Sequence, residues 1–268
     1  MPEAAYACAA APSARNLVVE LAADAQAVLE SQRLRYQIFA EEGGAHLRTD
    51  DAGVDRDYYD TFCQHLLVRD AETGAVVAST RILTDVHARQ TGGFYSADEF
   101  DLSALLPLPG RAMEIGRTCV HCAYRSGGAI SVLWSGLARF MTIHRFDYLI
   151  GCASVSLRDG GAQIDAIMRR LRAESMTHAS RRVTPRLPVP QAPASTALKA
   201  QLPPLLKAYL RLGAKVGGEP CWDRDFNVAD VFILLDLDDL NPRYQRHFLQ
   251  RGARPAAVPA VTSAGGHC

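Results

Sequence analysis

The chain has 268 residues, 48% of them hydrophobic, and a formal net charge of +0. That suffices for a sizeable core, in one large domain or two small ones. The balanced charge excludes the basic excess of a general nucleic-acid binder, and no apolar run approaches the ~18–20 residues that span a bilayer.

The start, MPEAAYACAAAPSAR, has an acidic residue, no basic leading region and no strong apolar core. It reads as a disordered start at 1–15 rather than a secretory leader. Next, LVVEL at 17–21 reads as a short strand. Asp24 can cap a helix running to about Phe39, with Val28, Leu29, Tyr36 and Phe39 near one stripe and Arg35 beside it. Residues 41–60 hold seven carboxylates and two arginines, a composition that reads as a solvated loop. CQHLLVRD and AVVASTRIL flank Ala-Glu-Thr-Gly and predict a β-hairpin. Arg81 lies inside its second strand, alternating with Val77, Ser79 and Leu83 on one face.

Residues 112–121 then read as a strand, 125–128 as a glycine loop, 129–145 as an apolar helix and 147–155 as a buried strand. A helix follows at about 163–178, and residues 169–186 hold six arginines and one carboxylate, Glu174. Six of the 14 prolines fall between 185 and 204, so about 160–203 reads as an insertion. LLKAYLRLGAKVGG predicts an amphipathic helix ending at glycine, and CWDRDF and VADVFILLDL predict strands. The pattern fades after Pro242, leaving one domain at 16–250 and a disordered tail at 251–268.

Several tempting motifs fail on context. Cys119-Val-His-Cys122 lacks the partner pair of a structural zinc site, and thiols three apart on a strand project to opposite faces; no metal is expected. The seven cysteines, odd in number and irregularly spaced, fit a reducing cytosol better than a disulfide framework. His65 and Asp70 match the H-x-x-x-x-D spacing of glycerolipid acyltransferases, but here they span a hairpin strand. A serine nucleophile elbow, a P-loop and a dinucleotide fingerprint are absent. Arg125-Ser-Gly127-Gly128 is different. It joins a strand to a helix, where unpaired N–H groups and the helix dipole suit a phosphate.

Strand, Arg-x-x-Gly loop, apolar helix and strand together resemble the acyl-CoA site of the GNAT superfamily, and YLRLGAKV resembles the helix following that site. The loop departs at Ile130, where a second small residue is usual. A closer resemblance runs in order over about residues 30–250. LRYQIFAEE, DYYDTFCQHLLV, STRIL, MEIGRTCV, RSGGAISVLW and PPLLKAYLRLGAKVGGEPCWDRDFNVADVFILL resemble bacterial L-ornithine Nα-acyltransferases. This implies an α/β, GNAT-like acyltransferase fold: a central twisted mixed sheet flanked by helices, with an inserted basic helix and Pro-rich loop. It implies transfer of a 3-hydroxyacyl group from acyl-carrier protein to the α-amine of L-ornithine, giving lyso-ornithine lipid. No cofactor is implied beyond the phosphopantetheine thioester of the donor. The front half is also similar to acyl-homoserine-lactone synthases, whose matching positions are Arg35, Phe39, Asp57, Asp60, Arg81, Glu114 and Arg117. Those synthases carry a Trp six residues after the matching Phe, where this chain has Ala45. Such a synthase, and a non-enzymatic carrier-protein-binding module, are the alternatives.

The implied substrate has two ammonium groups and one carboxylate. Asp57, Asp60 and Glu114 suit the cations; Arg35, Arg81 and Arg117 suit the anion, or brace the acids. The implied catalytic set is Glu114, Asp60 and Arg117, with Glu114 the first candidate for the base that deprotonates the amine. Arg35, Phe39, Asp57, Arg81 and Asp223 form the implied substrate site, and Arg125, Gly127 and Gly128 the phosphopantetheine site. A flat strand would place Glu114 and Arg117 on opposite faces, so their cooperation requires a bulge. Cys119, with His121 on its strand face, is the alternative covalent nucleophile. The arginines of 169–186 suit docking of an acidic carrier protein or contact with anionic lipid heads. The expected location is the cytoplasm, with peripheral contact at the inner membrane.

Overall fold

A computed structural model describes residues 16–49, 51–126, 128–190 and 198–241. The start at 1–15, Gly127 and the tail at 251–268 lie outside the described residues.

The elements follow the sequence pattern closely. Strand β1 (Leu17–Leu21) leads into helix α1 (Ala25–Tyr36), whose cap Asp24 accepts the Ala27 N–H at 2.8 Å. The helix was expected to reach Phe39; instead residues 37–42 widen into a π turn, with Gly43 N–H bonded to Ile38 O. The hairpin is β2 (Gln64–Asp70) and β3 (Val76–Thr84), followed by α2 (Asp85–Gln90) and the short β4 (Phe100–Asp101). Then come β5 (Ala112–Val120), α3 (Gly128–His144), β6 (Tyr148–Ser156) and α4 (Ala162–Glu174). The chain closes with β7 (Thr184–Pro185), α5 (Pro204–Leu212), β8 (Lys215–Val216), β9 (Cys221–Asp223) and β10 (Val228–Asp236). Strand β8 lies where the sequence reads as the end of a helix. It forms because Gly213, at φ 109, stops α5.

The main sheet runs β1-β2-β3-β5-β6-β10-β8, with β9 also on β10. Among the described strands, β5 and β6 are the one parallel pair, so the sheet is mixed as expected. Helices α3, α4 and α5 cover one face, packing Leu133, Leu137, Ile167 and Leu206 on Ile82, Leu149 and Ile233. The other face carries Phe94, Phe100, Leu105, Tyr148 and Phe232. Val77, expected on the face of Arg81, joins the first of these clusters, whereas Leu83 joins the second. The helix expected at 163–178 ends at Glu174, and its Ile164, Ile167, Met168 and Leu171 belong to the main core. It is therefore part of the layer. Its arginines turn outward, Arg170 pairing with Glu174 and Arg172 with Glu219. No described helix is long and apolar enough to cross a membrane.

Two backbone irregularities shape the centre. Strands β5 and β6 pair only from Ala112–Ile115 against Tyr148–Gly151. Beyond that, β5 follows β3 to Val120 and β6 follows β10 to Ser156, so a wedge opens between them. Gly151 marks the parting point. Its φ is 159, and a Cβ there would lie 2.4 Å from Ile115 O, so only glycine fits. The second irregularity is a bulge. Ser79 pairs with Cys119 but Arg81 with Gly116, a slip of one residue. Arg117 absorbs it at φ 51.

Candidate active site

The acidic stretch is a solvated loop only in part: Arg48, Asp51 and Arg56 are exposed, but two of its carboxylates turn inward. Asp55 and Asp60 are buried against α1, β2 and β3. Arg35, fully buried, reaches Asp55 and Asp60, each at 2.7 Å. Arg81 reaches Asp57 and, at 3.2 Å, Asp60. Gln32 also donates to Asp60 at 3.2 Å. Burial pushes the Asp60 pKa up, but the bond from Arg35 and the charges of Arg35 and Arg81 outweigh it and hold the carboxyl well below its ordinary value. Asp60 is thus a permanently charged brace, saturated by its partners. The same network explains His65, which lies 3.2 Å from Asp60 O and 3.4 Å from Ser31 Oγ. Asp70 accepts from Tyr124 OH at 2.6 Å and from the Glu72 N–H of the hairpin turn. His65 and Asp70 therefore work as structural groups at opposite ends of β2.

Glu114 is buried, and both its oxygens are occupied. One accepts the Tyr95 N–H and the other the Ser96 N–H, at 2.5 and 2.9 Å. Burial raises its pKa, while these bonds oppose the rise. The carboxylate anchors the 95–98 turn. Arg117, swung over by the bulge, stacks on Phe226 at 4.6 Å and Tyr95 at 5.5 Å. Its Nη1 donates to Tyr95 OH at 3.1 Å, and its carboxylate neighbours are more distant: Asp55 at 3.3 Å and Asp57 at 3.6 Å. Among the three arginines, Arg117 alone borders the two cavities described next.

A cavity of about 580 Å³ opens beside the bulge, lined by Asp57, Tyr59, Tyr95, Arg117 and Asp223 among others. A smaller one of about 90 Å³ lies in the wedge, bordered by Ile115–Thr118 of β5 and by Phe39, Cys152, Ser154 and Phe226. Between them stand three carboxylates. Glu99 and Asp223 border both cavities, and Asp230 borders the wedge alone. Each offers an oxygen within 4.8 Å of the others, a spacing that suits one shared cation. Among the described residues no salt bridge neutralises them. Burial, then the charges of Asp230 and Asp223, hold Glu99 far above the ordinary carboxylate range. Burial and Asp223 push Asp230 up to about 6, although Ser154 Oγ donates to it at 2.6 Å.

Comparison with known proteins agrees with this architecture. The acetyltransferase (GNAT) domain matches residues 34–135. An L-ornithine Nα-acyltransferase of Rhodobacter capsulatus is 35% identical over 87% of this chain and 95% of its own. A second, from Brucella abortus, is 34% identical over 87% of this chain and 89% of its own. This chain belongs to the L-ornithine Nα-acyltransferase family. It is an N-acyltransferase with a GNAT-type fold. Among solved structures, the CoA-dependent acyl-homoserine lactone synthase BjaI aligns with a TM-score of 0.55 at 14% identity. The alignment covers 90% of this chain and 92% of that one; the likeness is one of fold.

Within this acyltransferase, the remaining expected residues are scattered. Phe39 packs edge-on against Phe226 at 5.5 Å and lines the wedge. Arg125 lies beyond β5 with Nη2 2.6 Å from Glu42, and Gly128 opens α3. Cys119 is buried, and burial pushes its thiol up to about 12, the environment of a structural rather than an activated cysteine. Sequence reasoning missed Glu99 and Asp230. Asp230 carried a usable signal, a lone charge inside the apolar run VADVFILL. Glu99, in a loop, carried none.

Proposed function

We propose that the protein transfers a 3-hydroxyacyl group from the phosphopantetheine thioester of acyl-carrier protein to the α-amine of L-ornithine, giving lyso-ornithine lipid. The observation that carries this reading is the carboxyl trio Glu99, Asp223 and Asp230, without a salt bridge among the described residues, facing Arg117 across the cavities. A diammonium carboxylate is the amino acid such a site fits, and the relatives are named for one. Charged partners of opposite sign orient it at both ends.

In this reading the thioester lies in the wedge. Beyond Ile115, β5 is released from β6, so its backbone N–H groups can stabilise the oxyanion. Asp223 holds the cationic amino acid, and Arg117 takes the amino acid's carboxylate. Glu99, kept protonated by burial and its acidic neighbours, offers its carbonyl oxygen as a neutral acceptor. Asp230, poised near neutrality, accepts a proton from the α-ammonium. The freed amine attacks the thioester carbonyl, the C–S bond breaks, and the amine's second proton goes to the departing thiolate. Asp60 and Glu114 act from behind, by holding Arg35, Arg81 and the 95–98 turn in place. The outward arginines of α4 and of residues 181–186 suit an acidic carrier protein, and the amphiphilic product suits release at a membrane surface.

The test is incubation with 3-hydroxyacyl-carrier protein and a panel of amines, with products identified by tandem mass spectrometry. Acylation of ornithine at its α-nitrogen, unchanged by a metal chelator, supports the reading. A lactone formed only with S-adenosylmethionine would replace it with the synthase reaction.

A further inference from the structure

Residues 37–48 form a strap across the open end of the wedge. It leaves α1 through the π turn, with Phe39 packed on Phe226. Glu42 then pairs with Arg125 beyond the end of β5, Oε2 to Nη2 at 2.6 Å. The next carbonyl, Gly43 O, accepts from Arg158 beyond the end of β6. Farther on, His46 N–H donates to Asp225 O at 2.7 Å and Arg48 pairs with Asp225 at 2.8 Å. The strap is therefore clipped to both diverging strands, and its far end lines the larger cavity.

We propose that Glu42 is an internal competitor for the donor's phosphate, and that a phosphorylated acyl donor displaces it from Arg125. This rests on reading Arg125 as the residue that takes the phosphate of the phosphopantetheine arm. A carboxylate and a phosphate present the same pair of oxygens to a guanidinium. Arg125 Nε is already committed to Val120 O at 2.9 Å, and Glu42 occupies Nη2, one of the two nitrogens of the outer edge. A phosphate that binds the Nη1–Nη2 edge through two oxygens must take Nη2 from Glu42. The Arg125 side chain is 48% exposed, whereas that of Glu42 is 18% exposed. The guanidinium is thus accessible from solvent while the carboxylate is tucked beneath the strap. An ion pair with one exposed partner is weak enough for a phosphate to replace. On displacement the strap loses its clip to β5 and keeps the one from Arg158. Glu42 thereby sets how strongly the enzyme favours a phosphorylated donor over the same arm without phosphate.

The experiment compares binding of 4′-phosphopantetheine and of pantetheine by isothermal titration calorimetry. The readout is the ratio of their dissociation constants in the full-length protein. Glu42→Gln and Glu42→Ala are expected to widen that ratio about 3–10-fold, the size expected for release of one partly exposed ion pair. Arg125→Gln is expected to narrow it. A ratio that Arg125→Gln narrows but both Glu42 variants leave unchanged overturns the competition and leaves the phosphate site standing. A ratio that Arg125→Gln does not alter overturns the phosphate site, and the competition with it.

Discussion

Asp230 and Ser154 face each other across the β6–β10 ladder, and the serine hydroxyl donates to the carboxylate at 2.6 Å. Burial is the largest influence on Asp230 and raises its pKa; Ser154 and the charge of Arg117 favour the ionised form, and Asp223 opposes it. The balance, at about 6, suits a base working near neutral pH.

If Asp230 is that base, kcat/KM for the amine acceptor rises with pH through about 6. Asp230→Asn lowers it by roughly 10²–10⁴-fold, the usual span for losing a positioned base. Ser154→Ala removes a bond to the ionised form and moves the rising limb to higher pH. Steady-state rates from pH 5 to 8 check both, and an unmoved limb in Ser154→Ala assigns the titration to another group.

The strands and helices were readable because their periods are clean and glycines punctuate them: Gly74 closes the hairpin turn and Gly213 stops α5. Arg81 was readable too, as a charge placed where an apolar residue belongs. The bulge at Arg117 was foreseeable as a need but not as a position, because it arises from the register between β3 and β5. Burial of Asp55 and Asp60 was hidden for a similar reason. Composition within 41–60 says solvent, and the partners that override it, Arg35 and Arg81, lie outside that stretch. Glu99 was invisible because only the fold brings it to Asp223 and Asp230.

Arg117 is assigned the amino-acid carboxylate because Arg35 and Arg81 are buried and committed to Asp55, Asp57 and Asp60. Replacement by lysine keeps the charge and loses the planar fork. Arg117→Lys is expected to raise KM for ornithine about 10–100-fold, the worth of a charge-assisted hydrogen bond. Putrescine has both amines and no carboxylate, so its KM should change little. An equal rise for both acceptors would make Arg117 structural.

Asp60 is expected to matter for folding rather than for chemistry. Asp60→Asn leaves Arg35 and Arg81 short of a buried partner, which costs about 3–5 kcal/mol. Thermal melting would show the loss. Turnover measured at low temperature, per folded molecule, should stay within a few-fold of wild type; complete loss in folded protein would return Asp60 to the chemical step.

His65 predicts an acid limit to stability. It is buried between Ser31 and Asp60 O, and burial lowers its pKa below the ordinary value of 6.5. The folded protein keeps the ring neutral where the unfolded chain already binds a proton, so stability is present above about 6.5 and falls as pH drops below it. Asp60, held low by Arg35 and Arg81, adds a second loss only below about 4, where the unfolded carboxylate protonates. The contributions of His65 and Asp60 therefore fall in two stages on acidification, against an opposite gain from Glu99 and Asp230, whose raised pKa values let the folded protein take up protons first. The difference in melting temperature between wild type and a His65 variant isolates the first stage. In His65→Gln, which removes the titrating ring and keeps a polar side chain, the first stage should flatten while the second remains. An identical slope between pH 7 and 5 in both proteins would place the first stage on another group.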